Sequence, residues 1–227
     1  MSLLADLTWP EAEAAGVRGA VLAVPVGATE QHGPHLPLST DTDVATALCS
    51  AFAEQRDIVI APAVAYGSSG EHQGFAGTIS IGQEATELVL VQLGRSASET
   101  FRRIVFVSAH GGNAGPVQRA VDRLCAEGRD VIAFYPQWSG DPHAGGAETS
   151  LQLALDPRRV HQDRAVRGDE QPLSDTLPLL MQHGVRAVSP SGVLGDPTHA
   201  SAEAGVELLA RLTDDLLATL DAAWVRT

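Results

Sequence analysis

The chain contains no lysine, so all 15 of its basic residues are arginine, and 28 acidic residues outnumber them. The resulting formal net charge of −13 repels phosphate backbones and anionic membrane surfaces. Aromatic residues make up only 4% of the chain, too few for the stacking platforms that bind single-stranded nucleic acid. The composition therefore predicts neither nucleic acid nor membrane as a partner.

Cysteine and long apolar runs are scarce as well. The two cysteines, Cys49 and Cys125, both lie in apolar helical patterns, which predicts buried thiols rather than a disulfide or a metal pair. No apolar run approaches the ~20 residues that a membrane-spanning helix needs. The N-terminal segment also lacks the basic and apolar regions of a signal peptide. We therefore expect a cytoplasmic protein.

Short apolar runs alternate with longer amphipathic segments along the chain, the pattern of a parallel sheet with helices on its faces. The length suits one full core, and the sequence shows no repeat or linker. We therefore predict a single domain over residues 1–227, with a three-layer α/β/α fold and a mostly parallel sheet. The predicted strands are 20–26, 57–61, 78–81, 103–109 and 130–135, and the predicted helices are 43–55, 84–101, 116–127, 147–154, 176–183 and 201–223.

The first group of candidate functional residues follows the first strand, in the segment GATEQHGPHLPLSTD. Glu30 and His32 are two residues apart, so in an extended segment their side chains share a face. Asp41 comes at the start of the next helix. A divalent ion such as zinc, manganese or iron accepts this mixture of carboxylate and imidazole. Taken singly, each residue has an ordinary alternative, as a surface acid, a loop histidine or a helix N-cap.

Two later loops carry further candidates, each after a predicted strand. His110 ends the most apolar strand, and the two glycines after it let the backbone approach a ligand closely. Asn113 can hydrogen-bond a substrate or orient a ligand. In the segment HAGGAETS, His143 is a candidate proton carrier, and Glu148 enters a first helical turn, where an acid also complements the helix dipole. Trp138 either walls a pocket or covers the core.

These loops meet at one edge, because the carboxyl ends of parallel strands lie together. Five candidate ligands are too many for one tetrahedral zinc with an open position, but they suit two ions that share a carboxylate. Such a pair polarises a carbonyl and activates water, so the pattern predicts a hydrolase. The ligand types leave zinc, iron and manganese open. The candidate metal ligands are Glu30, His32, Asp41, His110 and Glu148.

The segments GATEQHGPHLPLSTD, SAHGGN, HAGGAETS and GVLGDPTHASAEAG together resemble the creatininase family of two-metal amidohydrolases. The resemblance spans about residues 20–210 and implies a creatininase-like fold that cleaves an amide bond. Relatives are commonly hexameric, so it also implies a homo-oligomer, with the hexamer as the family's usual form. Physically, Asp196 to Thr198 followed by Ser201 indicates a turn and a helix start.

The resemblance implies a role for each candidate ligand. Glu30 and His110 match the positions that hold one metal. His32 and Glu148 match the positions that hold the other. Asp41 matches the carboxylate that bridges the two ions.

The resemblance also bears on the substrate. The loop YGSSGEHQGFAGTISIG and the short chain are most similar to a family member that trims a modified precursor peptide, releasing a C-terminal fragment built from Val and Tyr. Glu71 and His72 in that loop would touch substrate or support the ligands, with surface charge as the alternative. His143 matches a histidine that handles the substrate or its proton. Creatinine-cleaving members carry a Glu where this chain has Gly112, which disfavours creatinine itself.

Two alternatives to a peptide substrate remain at this stage. The first is a small-molecule hydrolase of the same family, acting on a creatinine-like cyclic amide or a formamide. The second is a non-catalytic, flavodoxin-like cofactor-binding protein whose glycine-rich loops hold a phosphate. The carboxylates of Glu30, Asp41 and Glu148 argue against an anionic ligand at this edge.

Overall fold

The computed structural model describes residues 1–224, and its centre is a sheet of five strands that are all parallel. Residues 225–227 of the predicted domain lie outside the described residues. The strand order is β1-β3-β2-β4-β5. The strands are β1 (Ser2–Leu3), β2 (Val21–Val26), β3 (Ile58–Ile60), β4 (Arg103–Ser108) and β5 (Asp130–Phe134).

Eight helices accompany the sheet in the described part of the chain. Within residues 1–224, none of them combines the length and the apolar character that a bilayer crossing requires. The helices are α1 (Trp9–Val17), α2 (Thr40–Ala53), α3 (Gly82–Ala97), α4 (Ala114–Ala126), α5 (Gly146–Leu155), α6 (Leu173–His183), α7 (Val185–Val188) and α8 (Ala202–Trp224).

The helices pack on both faces of the sheet, which confirms the predicted three-layer α/β/α fold. On one face, the side chains of Leu22 and Phe106 pack in a cluster with residues of α3 and α4. On the other face, Ala23 and Val105 pack in a cluster with residues of α2, α5 and α8. Central parallel strands are covered on both sides, so β2 and β4 are nearly continuous apolar runs.

The direction of chain progression reverses between β2 and β4. From β2 the chain moves to β3 on one side, and from β4 it moves to β5 on the other side. The loops after β2 and β4 therefore diverge and leave a crevice at the carboxyl edge, where open α/β sheets bind ligands. The loops that carry Glu30, His32 and His110 therefore border this crevice.

Three sequence predictions need correction. Residues 78–81 do not add a strand to the sheet, because Ile79 makes only an isolated antiparallel bridge to Thr29. Cys125 is exposed on α4 rather than buried, although Cys49 is buried as expected. The sequence also indicated no element before residue 20, whereas β1 and α1 lie there. A capping box formed by Thr8 and Glu11 begins α1.

Candidate metal centre

All five candidate ligands lie at the carboxyl edge of the sheet. Glu30 and His32 sit on the loop after β2, and Asp41 lies in the first turn of α2. His110 follows β4 after one intervening residue. Glu148 lies in the first turn of α5, whose N-terminus faces the same edge. All five side chains are buried.

The ligand atoms form one continuous cluster. His110 Nδ1 is 3.3 Å from Glu30 Oε1 and 3.4 Å from Asp41 Oδ2. His32 Nε2 is 3.2 Å from Asp41 Oδ1 and 3.9 Å from Glu148 Oε2. Asp41 thus presents one oxygen to each histidine and lies between two halves of the cluster.

Several oxygens in this cluster have no hydrogen-bonding partner in the protein. They are both carboxylate oxygens of Glu30 and Oδ2 of Asp41. A buried carboxylate without a partner is strongly unfavourable, so the cluster fits a cation as its missing partner. Ligand atoms within 4.8 Å of one another occur in three combinations, which are Glu30 with Asp41 and His110, His32 with Asp41 and Glu148, and Glu30 with His32 and His143.

The pKa values of the two ligand histidines also show that the buried carboxylates stabilise positive charge at this site. Burial lowers the pKa of His32, but the charge and hydrogen bond of Asp41 outweigh burial and raise it to about 10. Burial likewise lowers the pKa of His110, and attraction to Glu30 outweighs it and raises the pKa to about 10. Burial raises the pKa of Glu148 to about 7. A divalent cation would take the place of the ring protons among these carboxylates.

The outer nitrogens of both ligand histidines face backbone carbonyls. His110 Nε2 lies 2.8 Å from the carbonyl oxygen of Ser68, and His32 Nδ1 lies 3.2 Å from that of Glu30. A carbonyl only accepts hydrogen bonds, so each outer nitrogen carries the proton and each inner nitrogen keeps a lone pair in the neutral ring. Both rings thus have the tautomer that ligates metal.

One side of the cluster is tightly filled, and we call it the closed wall, formed by residues 67–72, Gln31 and 112–113. A side chain at Gly112 would overlap the carbonyl oxygen of Ser68 and Oε1 of Glu71. Asn113 is fully buried and uses its amide to accept from Ser68 N and donate to Gly27 O, both at 2.9 Å. Glycine at 112 therefore lets this loop lie directly behind His110.

Two acid–base side chains of the closed wall lie behind the ligands. Glu71 Oε1 is 3.7 Å from His110 Nε2, and burial raises the pKa of Glu71. His72 is buried, with Nε2 3.3 Å from Glu30 Oε1, and burial lowers its pKa to about 4. Both residues are placed to support ligands, and their contact with substrate remains a prediction.

The opposite side opens into a cavity of about 830 Å³, and we call its lining at 135–143 and 169–173 the open wall. Trp138, Tyr135 and His143 line it together with the ligands Asp41, His110 and Glu148. Five acids and, among the described residues, no arginine line the cavity. Such a lining does not suit a phosphate-bearing cofactor, so it disfavours the flavodoxin-like alternative.

His143 belongs to the open wall but is held by a distant segment. It pairs with Leu194 in an antiparallel bridge, with Leu194 N donating to His143 O at 2.9 Å. Asp141 Oδ2 accepts from the backbone N–H groups of Gly146 and Asp196. Ala144 adopts a positive φ of 52° and donates to Glu148 Oε2 at 2.5 Å. We call residues 193–196 with Asp141 the brace.

Sequence reasoning placed all five candidate ligands, His143 and Trp138 at this edge, and the structure brings them together. It missed Gln31, which lies between two candidate ligands and is buried against His72 and His143. It also missed Asp141. The position of Gln31 between Glu30 and His32 was the one available signal, since a polar residue there has little room to reach solvent.

Comparison with known proteins gives one consistent result. A family model described as creatinine amidohydrolase (creatininase) matches residues 5–220. A mycofactocin precursor peptide peptidase of Mycobacterium tuberculosis is 50% identical over 206 residues, covering 86% of this chain and 82% of the relative. A creatinine amidohydrolase of Pseudomonas putida is 33% identical over 193 residues, covering 71% and 74%.

Solved structures agree with these sequence matches. A manganese form of creatininase and a Zn-Zn form of a creatininase point mutant each superpose with a TM-score of 0.85. Each is 27% identical to this chain, and the alignment covers 98% of both chains.

Proposed function

Because the chain belongs to the creatininase family and is a hydrolase, we propose that it is a two-metal peptidase that cleaves the modified mycofactocin precursor peptide. The bond cut would be the amide that releases the C-terminal fragment built from Val and Tyr. The 50% identity to a relative of that name supports this substrate. The proposed catalytic domain spans residues 1–227.

One observation carries the metal-dependent part of the proposal. Glu30 and Asp41 keep buried carboxylate oxygens without a partner, and both face the inner nitrogen of His110. Among the described residues, the negative charge of these carboxylates can be balanced only by protons on the neighbouring histidines or by a bound cation. The carboxylate–imidazole chemistry suits zinc, manganese and iron alike.

We assign the ligands by the contacts of Asp41. Glu30, Asp41 and His110 would hold one ion, and His32, Asp41 and Glu148 the other, with Asp41 shared. When bound, the ions would supply Lewis-acid polarisation of the amide carbonyl and a lowered pKa for water.

The other residues of the site would bind substrate and move protons. His143 lines the cavity with Nδ1 3.9 Å from Glu30 Oε1, and burial holds its pKa well below the usual range. A neutral imidazole at this position can take up a proton and deliver it to the leaving nitrogen. Trp138 would offer the peptide an apolar surface in the cavity. Asn113 would support the loop at Ser68, from whose backbone N–H it accepts a hydrogen bond.

A small cyclic amide is the second candidate substrate, because a creatinine amidohydrolase is 33% identical to this chain. Glu71 and its neighbouring loop fill the space that any side chain at Gly112 would need. Since creatinine-cleaving relatives are expected to carry Glu there, this packing favours the peptide.

The test is to incubate the zinc- or manganese-loaded protein with the modified precursor peptide and to analyse the products by mass spectrometry. We expect the C-terminal fragment to be released, and the matched variant His143→Asn to release it far more slowly while keeping its metal. Creatinine serves as the competing substrate. Turnover of creatinine with no cleavage of the peptide would overturn the substrate assignment.

Assembly and location complete the proposal. We propose a homo-oligomer, with a hexamer as the expected form, acting in the cytoplasm. Light scattering coupled to size-exclusion chromatography measures the mass of the assembly against 23.7 kDa per chain. Cell fractionation tests the location.

A further inference from the structure

We infer that Gln31 is a positioning residue that fixes which ring nitrogen carries the proton in His72 and His143. This inference rests on the proposed function and deepens it. Its consequence is that His72 faces Glu30 with an N–H group and is not a metal ligand, whereas His143 faces the site with a lone pair.

The orientation of the Gln31 side-chain amide is fixed by its neighbours. The backbone N–H of Gly33 donates to Gln31 Oε1 at 2.8 Å, so this end must be the oxygen. The opposite end, Nε2, lies 3.1 Å from the carbonyl oxygen of Gly192 and 2.9 Å from His72 Nδ1. A flipped amide would set its NH₂ group against the N–H of Gly33 and its oxygen against the carbonyl oxygen of Gly192, so the neighbours allow one orientation only.

The two hydrogens of Gln31 Nε2 therefore have defined destinations. One goes to the carbonyl of Gly192. The other goes to Nδ1 of His72, which must accept it with a lone pair, because the third neighbour, His143 Nε2, donates its own proton to the carbonyl oxygen of Gln31 and cannot accept. The proton of the neutral His72 ring is consequently on Nε2. That N–H makes an electrostatic contact with Glu30 Oε1 at 3.3 Å.

This arrangement is the reverse of the one around the ligand histidines. The outer nitrogens of His32 and His110 face carbonyl oxygens, which leaves their inner nitrogens unprotonated. The outer nitrogen of His72 faces an amide donor, which leaves its inner nitrogen protonated. His32, His72 and His110 thus each lie within 3.3 Å of a carboxylate oxygen, and the group behind each ring decides whether it can ligate.

The backbone of Gln31 determines the tautomer of His143. His143 Nε2 is 2.9 Å from the carbonyl oxygen of Gln31 and 3.0 Å from its Nε2. Because a carbonyl oxygen only accepts, His143 Nε2 carries the proton and donates it to this carbonyl, so it cannot accept from Gln31 Nε2. Its Nδ1 keeps a lone pair on the side of Glu30, as a proton acceptor requires.

The test records ¹⁵N magic-angle-spinning spectra of the zinc-loaded protein labelled at histidine, since protonated and bare ring nitrogens differ widely in chemical shift. The signals of His72 are assigned by their loss in His72→Asn. We expect a bare Nδ1 for His72 in the wild type. In Gln31→Glu the carboxylate cannot donate, so Nδ1 of His72 should carry a proton. The signals of His143 should stay in place, because the carbonyl remains.

Two variants separate this effect from a loss of fold. Gln31→Met keeps the size of the side chain but removes the hydrogen-bond donor to His72 Nδ1. His72 should then no longer hold a single tautomer, and the signal of its unprotonated Nδ1 should be lost. Gln152→Glu places a carboxylate at another buried glutamine, on α5, and should leave His72 unchanged. A wild-type His72 protonated at Nδ1, or signals that do not move in Gln31→Glu, would overturn the inference.

Kinetics provide the second readout. Loss of the Gln31 donor should lower kcat by about 10- to 100-fold, as for other groups that orient ligands, while KM changes little. An equal loss carried entirely by KM would contradict a positioning role. The spectra remain informative if the wild type fails to cleave the peptide, so failure of this inference and failure of the proposed function are distinguishable.

Discussion

The closed wall and the open wall border the same cluster of carboxylates and imidazoles, yet they are built in opposite ways. In the closed wall, the Ser68 carbonyl lies 2.8 Å from the ring of His110 and the Gln31 side-chain amide lies 2.9 Å from the ring of His72. Gly112 leaves no space there for a side chain. The open wall borders a cavity of about 830 Å³ with aromatic and acidic side chains. The first wall orients ligands, and the second leaves room for a substrate.

This difference separates two kinds of functional residue. Changes in the closed wall should act through the orientation of the ligands and appear in metal binding or kcat. Apart from His143, which is proposed to move a proton, changes in the open wall should weaken substrate binding and appear in KM. The predictions below test that division, beginning with Asp41, a carboxylate of the cluster that both walls border.

The largest effect is expected from Asp41→Ala. Asp41 contributes to two of the possible ligand groups, so its loss should release metal and lower turnover by more than about 100-fold. Elemental analysis and peptide cleavage measure both effects. Asp43→Ala, on the same helix and in an ion pair with Arg159, should keep the metal and serves as the matched control. Full metal content in Asp41→Ala would refute the ligand assignment.

Removal of the metal should abolish activity, and zinc or manganese should restore it. Since the metal-free His32 and His110 hold ring protons up to a pKa of about 10, binding must displace those protons. The apparent metal affinity should therefore rise with pH until the pH passes that pKa. Calorimetry in two buffers of different ionisation enthalpy measures the proton release. Binding without proton release would contradict the assigned rings.

Gly112→Ala tests the closed wall by itself. Its Cβ would overlap the carbonyl oxygen of Ser68, a backbone atom that cannot easily move, so the support of His110 should be displaced. We expect a loss of about 1–3 kcal/mol in the free energy of unfolding and of about 10- to 100-fold in kcat. Gly111→Ala meets nothing within 4 Å and should be nearly neutral. Urea denaturation and kinetics compare the pair, and equal behaviour would refute the packing argument.

The smallest effect is expected from Trp138→Ala in the open wall. Removing this surface should raise KM for the peptide by roughly tenfold, or about 1.4 kcal/mol, with kcat and metal content nearly unchanged. Trp9→Ala is the control, because Trp9 is 78% exposed on α1, away from the cavity lining. A loss in kcat alone would place Trp138 among the residues that orient the reaction.

The sequence predicted the fold well where a residue's role depends on its immediate neighbours along the chain. The apolar run of β4 required a strand covered on both faces, and the loops after parallel strands had to meet at one edge. Asp41 could be placed in a first helical turn from the pattern around it. Residues 78–81 were misassigned, because β-branched residues favour a strand but Ile79 forms only one isolated bridge, to Thr29.

Roles that depend on distant partners were not accessible in this way. Gln31 is one polar residue in a loop until the fold brings Gly192, His72 and His143 around it. Cys125 fits an apolar helical pattern, yet the buried face of α4 is formed by Val117, Ala120, Val121 and Leu124, and Cys125 is exposed. Hydrogen-bond direction and helix rotation are properties of the packed molecule and leave little trace in sequence spacing.

The brace limits how this enzyme can be redesigned. Asp141 and His143 take their positions from backbone groups of Leu194 and Asp196, which lie far along the chain from them. If the loop around Asp141 and His143 were replaced by that of a relative, it would lose these hydrogen bonds unless the stretch around Leu194 were replaced as well. The loop that carries Asp141 and His143 and the stretch around Leu194 thus form one structural unit, and directed evolution of substrate selectivity should randomise both together.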